Sequence, residues 1–209
     1  MQILLVAATA MEIAPFLQQR PAADFLITGV GSHSAIYHLT KRLQQIDYDL
    51  VIQAGIAGSF TKSITLGEVV LVREDNFADV GISEKNNFYT LFEKGLADED
   101  QFPFAKGWLK NDSELIDQLL LSKVRAVTVN TVTDNEENIN KLVLKFEPQI
   151  ESMEGAVLHY ICLQEDIPFL QLRSISNYVG ERDKTRWKIK EAVDNLNAEL
   201  LNIISQLTG

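Results

Sequence analysis

Cysteine is almost missing from this chain: Cys162 is the one thiol in 209 residues. It cannot form an internal disulfide, and a reducing, cytoplasmic setting is the reading it supports. Histidine is scarce as well, with His33, His38 and His159 only. No pair has His-Glu-x-x-His spacing and no Asp/Glu/His cluster accompanies Cys162, so no metal site is expected. There is no Gly-x-Ser-x-Gly segment, which disfavours a serine hydrolase of that type. No apolar run reaches the roughly 18 residues of a membrane span. Met1–Val6 is too short for a signal peptide and lacks its basic start; it reads as a first buried strand. Lys and Arg form no cluster, and the formal charge is −10. Nucleic-acid binding needs a basic face, so neither nucleic acid nor membrane is expected as a partner.

What is present fits one globular domain over residues 1–209, with 46% hydrophobic and 23% charged residues. Short apolar runs alternate with helical patterns. Strands are expected at Ile3–Ala8, Phe25–Thr28, Leu50–Ala54, Val69–Val72, Val124–Val129 and Phe169–Arg173. Helices are expected from Ala10 to Gln19 and from Ser34 to Gln45. Ile189, Val193, Leu196, Leu200, Ile203 and Leu207 recur at helical spacing and mark a last helix. Continuous apolar strands between helices imply an α/β fold with a sheet buried on both faces. Phe77–Trp108 stands apart as a long polar stretch carrying five Phe residues. It reads as an insertion packed on its own aromatics, or as a lid or subunit contact.

Several segments admit two readings. Glu12 lies in the first turn of the first helix, where a carboxylate can activate water; Thr9 to Glu12 also fits a capping box, which spacing alone favours. Gly29-Val30-Gly31 lacks the third glycine of a dinucleotide fingerprint and reads as a tight turn with positive φ. Ala54-Gly55-Ile56-Ala57-Gly58 reads as a second glycine-rich turn, for ligand approach or for close packing. Met153 and Glu154 open an apolar helix. Glu154 suits a helix N-terminus, and a carboxylate also accepts two hydroxyls, as a ribose diol requires. Asn177 ends the run Arg173-Ser174-Ile175-Ser176-Asn177, as a turn residue or as a ligand contact.

Together, Ser152-Met153-Glu154-Gly155-Ala156, Arg173-Ser174-Ile175-Ser176-Asn177-Tyr178-Val179-Gly180, Ala78-Asp79-Val80-Gly81 and Trp187 make the chain resemble the nucleosidase branch of the nucleoside phosphorylase superfamily. Within that branch it looks closest to the futalosine hydrolases of menaquinone synthesis. The resemblance implies a three-layer sandwich with a twisted, partly closed mixed β-sheet flanked by helices. It also implies cofactor-free hydrolysis of a purine N-ribosidic bond and assembly as a homo-oligomer. By position, Glu12 is then the general base and Asn177 faces the leaving purine. Ile56, Met153, Glu154, Arg173, Ser176 and Trp187 would contact substrate, and Asn130 to Asp134 would hold the base pocket.

Two departures bear on substrate. Gln53 stands where related phosphorylases place a phosphate-binding Arg, which favours water as nucleophile. Asn177 stands where most nucleosidases of this kind carry Asp. A departing adenine presents two donors at N7–H and the 6-amino group, which suits a carboxylate. Hypoxanthine presents N7–H and the acceptor O6, which suits a carboxamide. Asn177 therefore points to a 6-oxopurine. The alternatives are a methylthioadenosine/adenosylhomocysteine nucleosidase, a purine nucleoside phosphorylase and a non-catalytic nucleoside-binding protein. Ser152, where the methylthioadenosine/adenosylhomocysteine nucleosidases have Glu, counts with Asn177 against the first of these.

Overall fold

The structure is a computed structural model that describes residues 1–19, 23–85 and 87–208. In chain order its elements are β1 (Ile3–Ala7), α1 (Ala10–Gln18), β2 (Asp24–Ile27), α2 (Ser32–Leu43), β3 (Leu50–Ser59), β4 (Val69–Asp75), β5 (Gly81–Glu84), β6 (Asn87–Thr90) and β7 (Leu109–Lys110). The second half adds α3 (Glu114–Gln118), β8 (Ser122–Thr128), α4 (Glu136–Phe146), β9 (Ile150–Ser152), α5 (Gly155–Gln164), β10 (Phe169–Tyr178) and α6 (Ile189–Thr208). One mixed sheet organises them in the order β10-β4-β8-β9-β3-β1-β2. Because β10 also pairs with β3, five strands close on themselves while β1 and β2 continue outward from β3. The expected partly closed sheet is therefore present.

Alternation along β1 builds the layers. Ile3, Leu5 and Ala7 pack with Ile13 and Phe16 of α1 and with Leu196, Leu200 and Ile203 of α6. Leu4 and Val6 face the opposite side, with Leu39 of α2 and Val157, Leu158 and Cys162 of α5. Each fully buried aliphatic side chain contributes about 1.5–3 kcal/mol. Val70, Val72, Val124, Ala126, Ile150 and Ile175 fill the closed part of the sheet.

Two expected strand ends are corrected. Ala54–Gly58 is not a turn: β3 runs through it to Ser59. Gly55 lies beneath charge, since a Cβ there would collide with Nη1 of Arg173 and come within 2.9 Å of Oε1 of Glu12. These small residues give clearance, not a reversal of the chain. Likewise Arg173 to Asn177 does not leave its strand, because β10 continues to Tyr178. That excludes the turn reading of Asn177. Gly29 and Gly31 do form the expected turn, with φ of 82° and 92°.

Candidate active site

The upper ends of β1, β3, β9 and β10 and the start of α5 surround a cavity of about 250 Å³. Of the residues expected at the site, Glu12, Ile56, Met153, Glu154, Ser176, Asn177 and Trp187 all line it. Within the expected base pocket, Val132 and Thr133 line it. Asn130 is instead tied to Asp79, its N–H donating to Oδ2 at 2.5 Å.

Glu12 holds both of its proposed positions at once. Its Oε2 accepts from the N–H and the hydroxyl of Thr9, each at 2.9 Å. Its Oε1 accepts from the Ile56 N–H at 3.0 Å. The helix cap thus fixes the carboxylate at the cavity wall, where it is 6% exposed. Glu154 is the N-cap of α5, and its Oε1 accepts the Gly31 N–H at 2.8 Å. The second glycine of the early turn therefore orients a carboxylate 123 residues away. Burial raises the Glu154 carboxyl above its ordinary range; Arg173 and the Gly31 N–H oppose this, and the like charge of Glu12 adds to it.

Asn177 reaches the cavity through an irregularity. The β10–β3 register shifts between Ile175 and Asn177, leaving Ser176 as an extra residue. In a regular strand, neighbours face opposite sides; a bulge re-aims them. Here both Ser176 and Asn177 face the cavity. The Ser176 hydroxyl donates to Asn177 Oδ1 at 2.8 Å, and Asn177 Nδ2 donates to the Tyr178 carbonyl at 3.1 Å. These bonds set the amide oxygen and nitrogen in defined places. Trp187 closes one side, its ring N–H donating to the Glu181 carbonyl at 2.9 Å.

Arg173 differs from expectation. It is 1% exposed and lies behind the lining, with Nη2 donating to Gln53 Oε1 at 2.6 Å. Gln53 is likewise turned away from the cavity, so its neutrality does not itself empty a phosphate site. The lining makes that argument instead: Glu12, Glu151, Glu154 and Glu181 face one guanidinium, Arg182. Behind them Asp75 accepts from the Thr128 hydroxyl at 3.0 Å and from Gln171 Nε2 at 3.2 Å, and burial raises its carboxyl to about 6.

The aromatic segment stays off this cavity within one chain: no described residue from Phe77 to Trp108 lines it. Its rings pack on one another and on α5, as in Phe92–Phe104 and Phe104–Tyr160. Phe88 and Tyr89 line a second hollow of about 640 Å³, which Val129 and Thr133 share with the first and which Thr131 of the expected base pocket also lines. Among the described residues no cluster of three or more His, Cys, Asp or Glu is placed to hold a metal, and no helix is long and apolar enough to cross a membrane.

Sequence reasoning missed Glu151. Burial raises its carboxyl to about 7, against the pull of Arg182. An unfolded chain releases that proton near 4.5, so in the window from there to about 7 the folded protein binds more protons. Its stability consequently falls as pH rises, by up to about 1.4 kcal/mol per unit from this group. Glu151→Gln should remove that slope and gain stability over wild type across the window. Urea unfolding at several pH values measures it; parallel pH dependence of the two proteins would contradict the assignment.

The chain is 28% identical to a futalosine hydrolase of Thermus thermophilus, with 99% of this chain and 96% of that protein covered. The native structure of futalosine hydrolase from Helicobacter pylori superposes with a TM-score of 0.81 at 16% identity, covering 98% and 97% of the two chains. A methylthioadenosine/adenosylhomocysteine nucleosidase from Colwellia psychrerythraea, in complex with adenine, superposes with a TM-score of 0.82 at 20% identity, covering 99% and 96%. The family model of the phosphorylase superfamily matches residues 25–208, and the chain belongs to that superfamily.

Proposed function

We propose that this protein hydrolyses the N-ribosidic bond of futalosine, releasing hypoxanthine and the dehypoxanthinyl sugar, as a step in menaquinone synthesis in the cytoplasm. The observation that carries the reading is the carboxamide of Asn177, held by Ser176 at the cavity wall. Its oxygen accepts from N7–H of the departing base, and its NH₂ group donates to O6. Glu12 takes a proton from the attacking water. Glu154 accepts the ribose diol over an apolar floor provided by Met153. Arg173, buried behind both carboxylates, steadies their charge. Water is the nucleophile because four acidic side chains and one guanidinium make a poor seat for orthophosphate. No cofactor takes part in these steps.

The test incubates the protein with futalosine, inosine and methylthioadenosine and identifies the released base. Hypoxanthine from futalosine at the highest rate is expected; adenine from methylthioadenosine as the main product would favour the other nucleosidase activity. Glu154→Ala should weaken binding and also lower kcat, because the diol contact tightens as the sugar gains positive charge. Unchanged KM and kcat would place Glu154 outside the reaction.

A homo-oligomer is part of the same proposal. Met11 and Val30 line the cavity yet are 55% and 51% exposed. Ile36, Tyr37, Val80 and Phe102 are exposed as well. Light scattering at micromolar concentration should give at least a dimer, and a monomer would overturn this part.

A further inference from the structure

Glu151 has no task in the reading above, yet it lines the same cavity at 6% exposure. It is the middle residue of β9, and its cross-strand partner is Gly58 of β3. On the other side of β3, Gly58 is also the partner of Asn177. Directly opposed residues project from the same face of a sheet. Glu151 and Asn177 therefore stand on one face, either side of a residue with no side chain. A Cβ on Gly58 would lie 3.2 Å from Cγ2 of Val179, 3.4 Å from Nδ2 of Asn177 and 3.5 Å from Cγ of Glu151. A glycine inside a strand leaves room for a bulge or for close approach by a ligand or another backbone. Gly58 itself lines the cavity, so two polar side chains converge beside it at the cavity wall.

Asn177 has no proton to give as an acid. Cleavage sends the bonding pair onto the purine, which needs a proton as it leaves. Resting on the reading that Asn177 faces the purine, we propose that Glu151 is the catalytic acid that delivers this proton. The C1′–N9 bond breaks and its electron pair passes into the purine. The proton of the Glu151 carboxylic acid moves to N7 and leaves a carboxylate. The new N7–H is then shared between that carboxylate and Oδ1 of Asn177. Water adds to C1′ and gives a proton to Glu12. Glu12 ends protonated and Glu151 ionised, and one proton exchanged through solvent restores both.

The surroundings suit that role. Burial keeps the carboxyl protonated to about pH 7, near the operating pH that favours a general acid. Arg182 faces the charge left after transfer. The other charged groups lining the cavity are Glu12, Glu154 and Glu181. Beside Glu151 the strands β3, β8 and β10 place Gly58, Val127 and Asn177, none of them titratable. Glu12 and Glu151 thus divide the base and acid work between two carboxylates, as environments that separate such groups permit.

The experiment compares full-length wild type with Glu151→Gln on whichever of futalosine, inosine and methylthioadenosine the wild type cleaves. Failure of the wild type on futalosine would count against the proposed function, while the acid role is still decided on the nucleoside that does react. The expected result is a kcat lower by about 10²-fold, with KM and the affinity for the free base little changed. Wild-type kcat should fall as pH rises through about 7, and the variant should lack that limb. Full kcat in the variant would overturn the proposal. So would a wild-type kcat that is flat through that pH, or an equal loss of rate and base affinity, which would make Glu151 a binding contact.

Discussion

Glu12→Gln should still bind hypoxanthine and futalosine while losing about 10²–10⁴-fold in kcat, the usual contribution of a general base. The substitution keeps length and shape. An amide oxygen can still accept from the Thr9 N–H, so the start of α1 stays capped and the fold survives. With the amide oxygen kept on Thr9, the NH₂ group meets the Ile56 N–H, donor against donor. That loss costs about 1 kcal/mol of stability, far less than the catalytic effect. The two readings of Glu12 therefore separate cleanly. A cap alone predicts a small change in stability and normal turnover; a base predicts a large fall in kcat at nearly constant binding. Steady-state kinetics beside calorimetric binding of hypoxanthine tell them apart, and normal turnover would leave Glu12 only its role as a cap.

Asn177→Asp should reverse the preference for the base. Wild type is expected to cleave futalosine in preference to its 6-amino analogue, and the variant the analogue in preference to futalosine. The introduced carboxylate would set lone pairs against O6 of a 6-oxopurine, while accepting from both donors of a departing adenine. One unsatisfied buried group costs about 1–3 kcal/mol, so the ratio of the two kcat/KM values should move by roughly ten- to a hundredfold. That is well short of the roughly 10⁴–10⁵ that built polar sites reach at best. The site itself limits the effect. A carboxylate oxygen in place of Nδ2 would face the Tyr178 carbonyl. That favours rotation or protonation of the new side chain. A ratio that does not move would mean that Asn177 does not read the purine.

The sequence made the long apolar elements plain, because their periodicity is set by burial. β1, β2, β3, β4, β8, β10, α1, α2 and α6 lie where those patterns place them, apart from their ends. The ends of β3 and β10 were obscured for one shared reason. Residues 54–58 are small apart from Ile56 and 174–178 are mostly polar, the composition of a turn, yet parallel pairing between the two strands carries both onward. Their composition answers to the cavity instead. β9 was invisible because three residues carry no periodicity. Glu151 was hidden with it, since only the strand register sets it across Gly58 from Asn177. Arg173 was read as a contact because residue type does not reveal which side of a sheet a charge occupies; its pairing with Gln53 shows that it stands behind the site. Glu12 and Glu154 were legible only through the resemblance, as each also satisfies an ordinary helix-capping rule.

The most direct measurement follows futalosine with the wild-type protein in ¹⁸O-labelled water containing phosphate, with products read by mass spectrometry. Hypoxanthine together with a dehypoxanthinyl sugar carrying one labelled oxygen at C1′ is the predicted outcome. A sugar 1-phosphate would contradict the account by making phosphate the nucleophile, and intact futalosine beside cleaved methylthioadenosine would contradict it by moving the substrate to a 6-aminopurine.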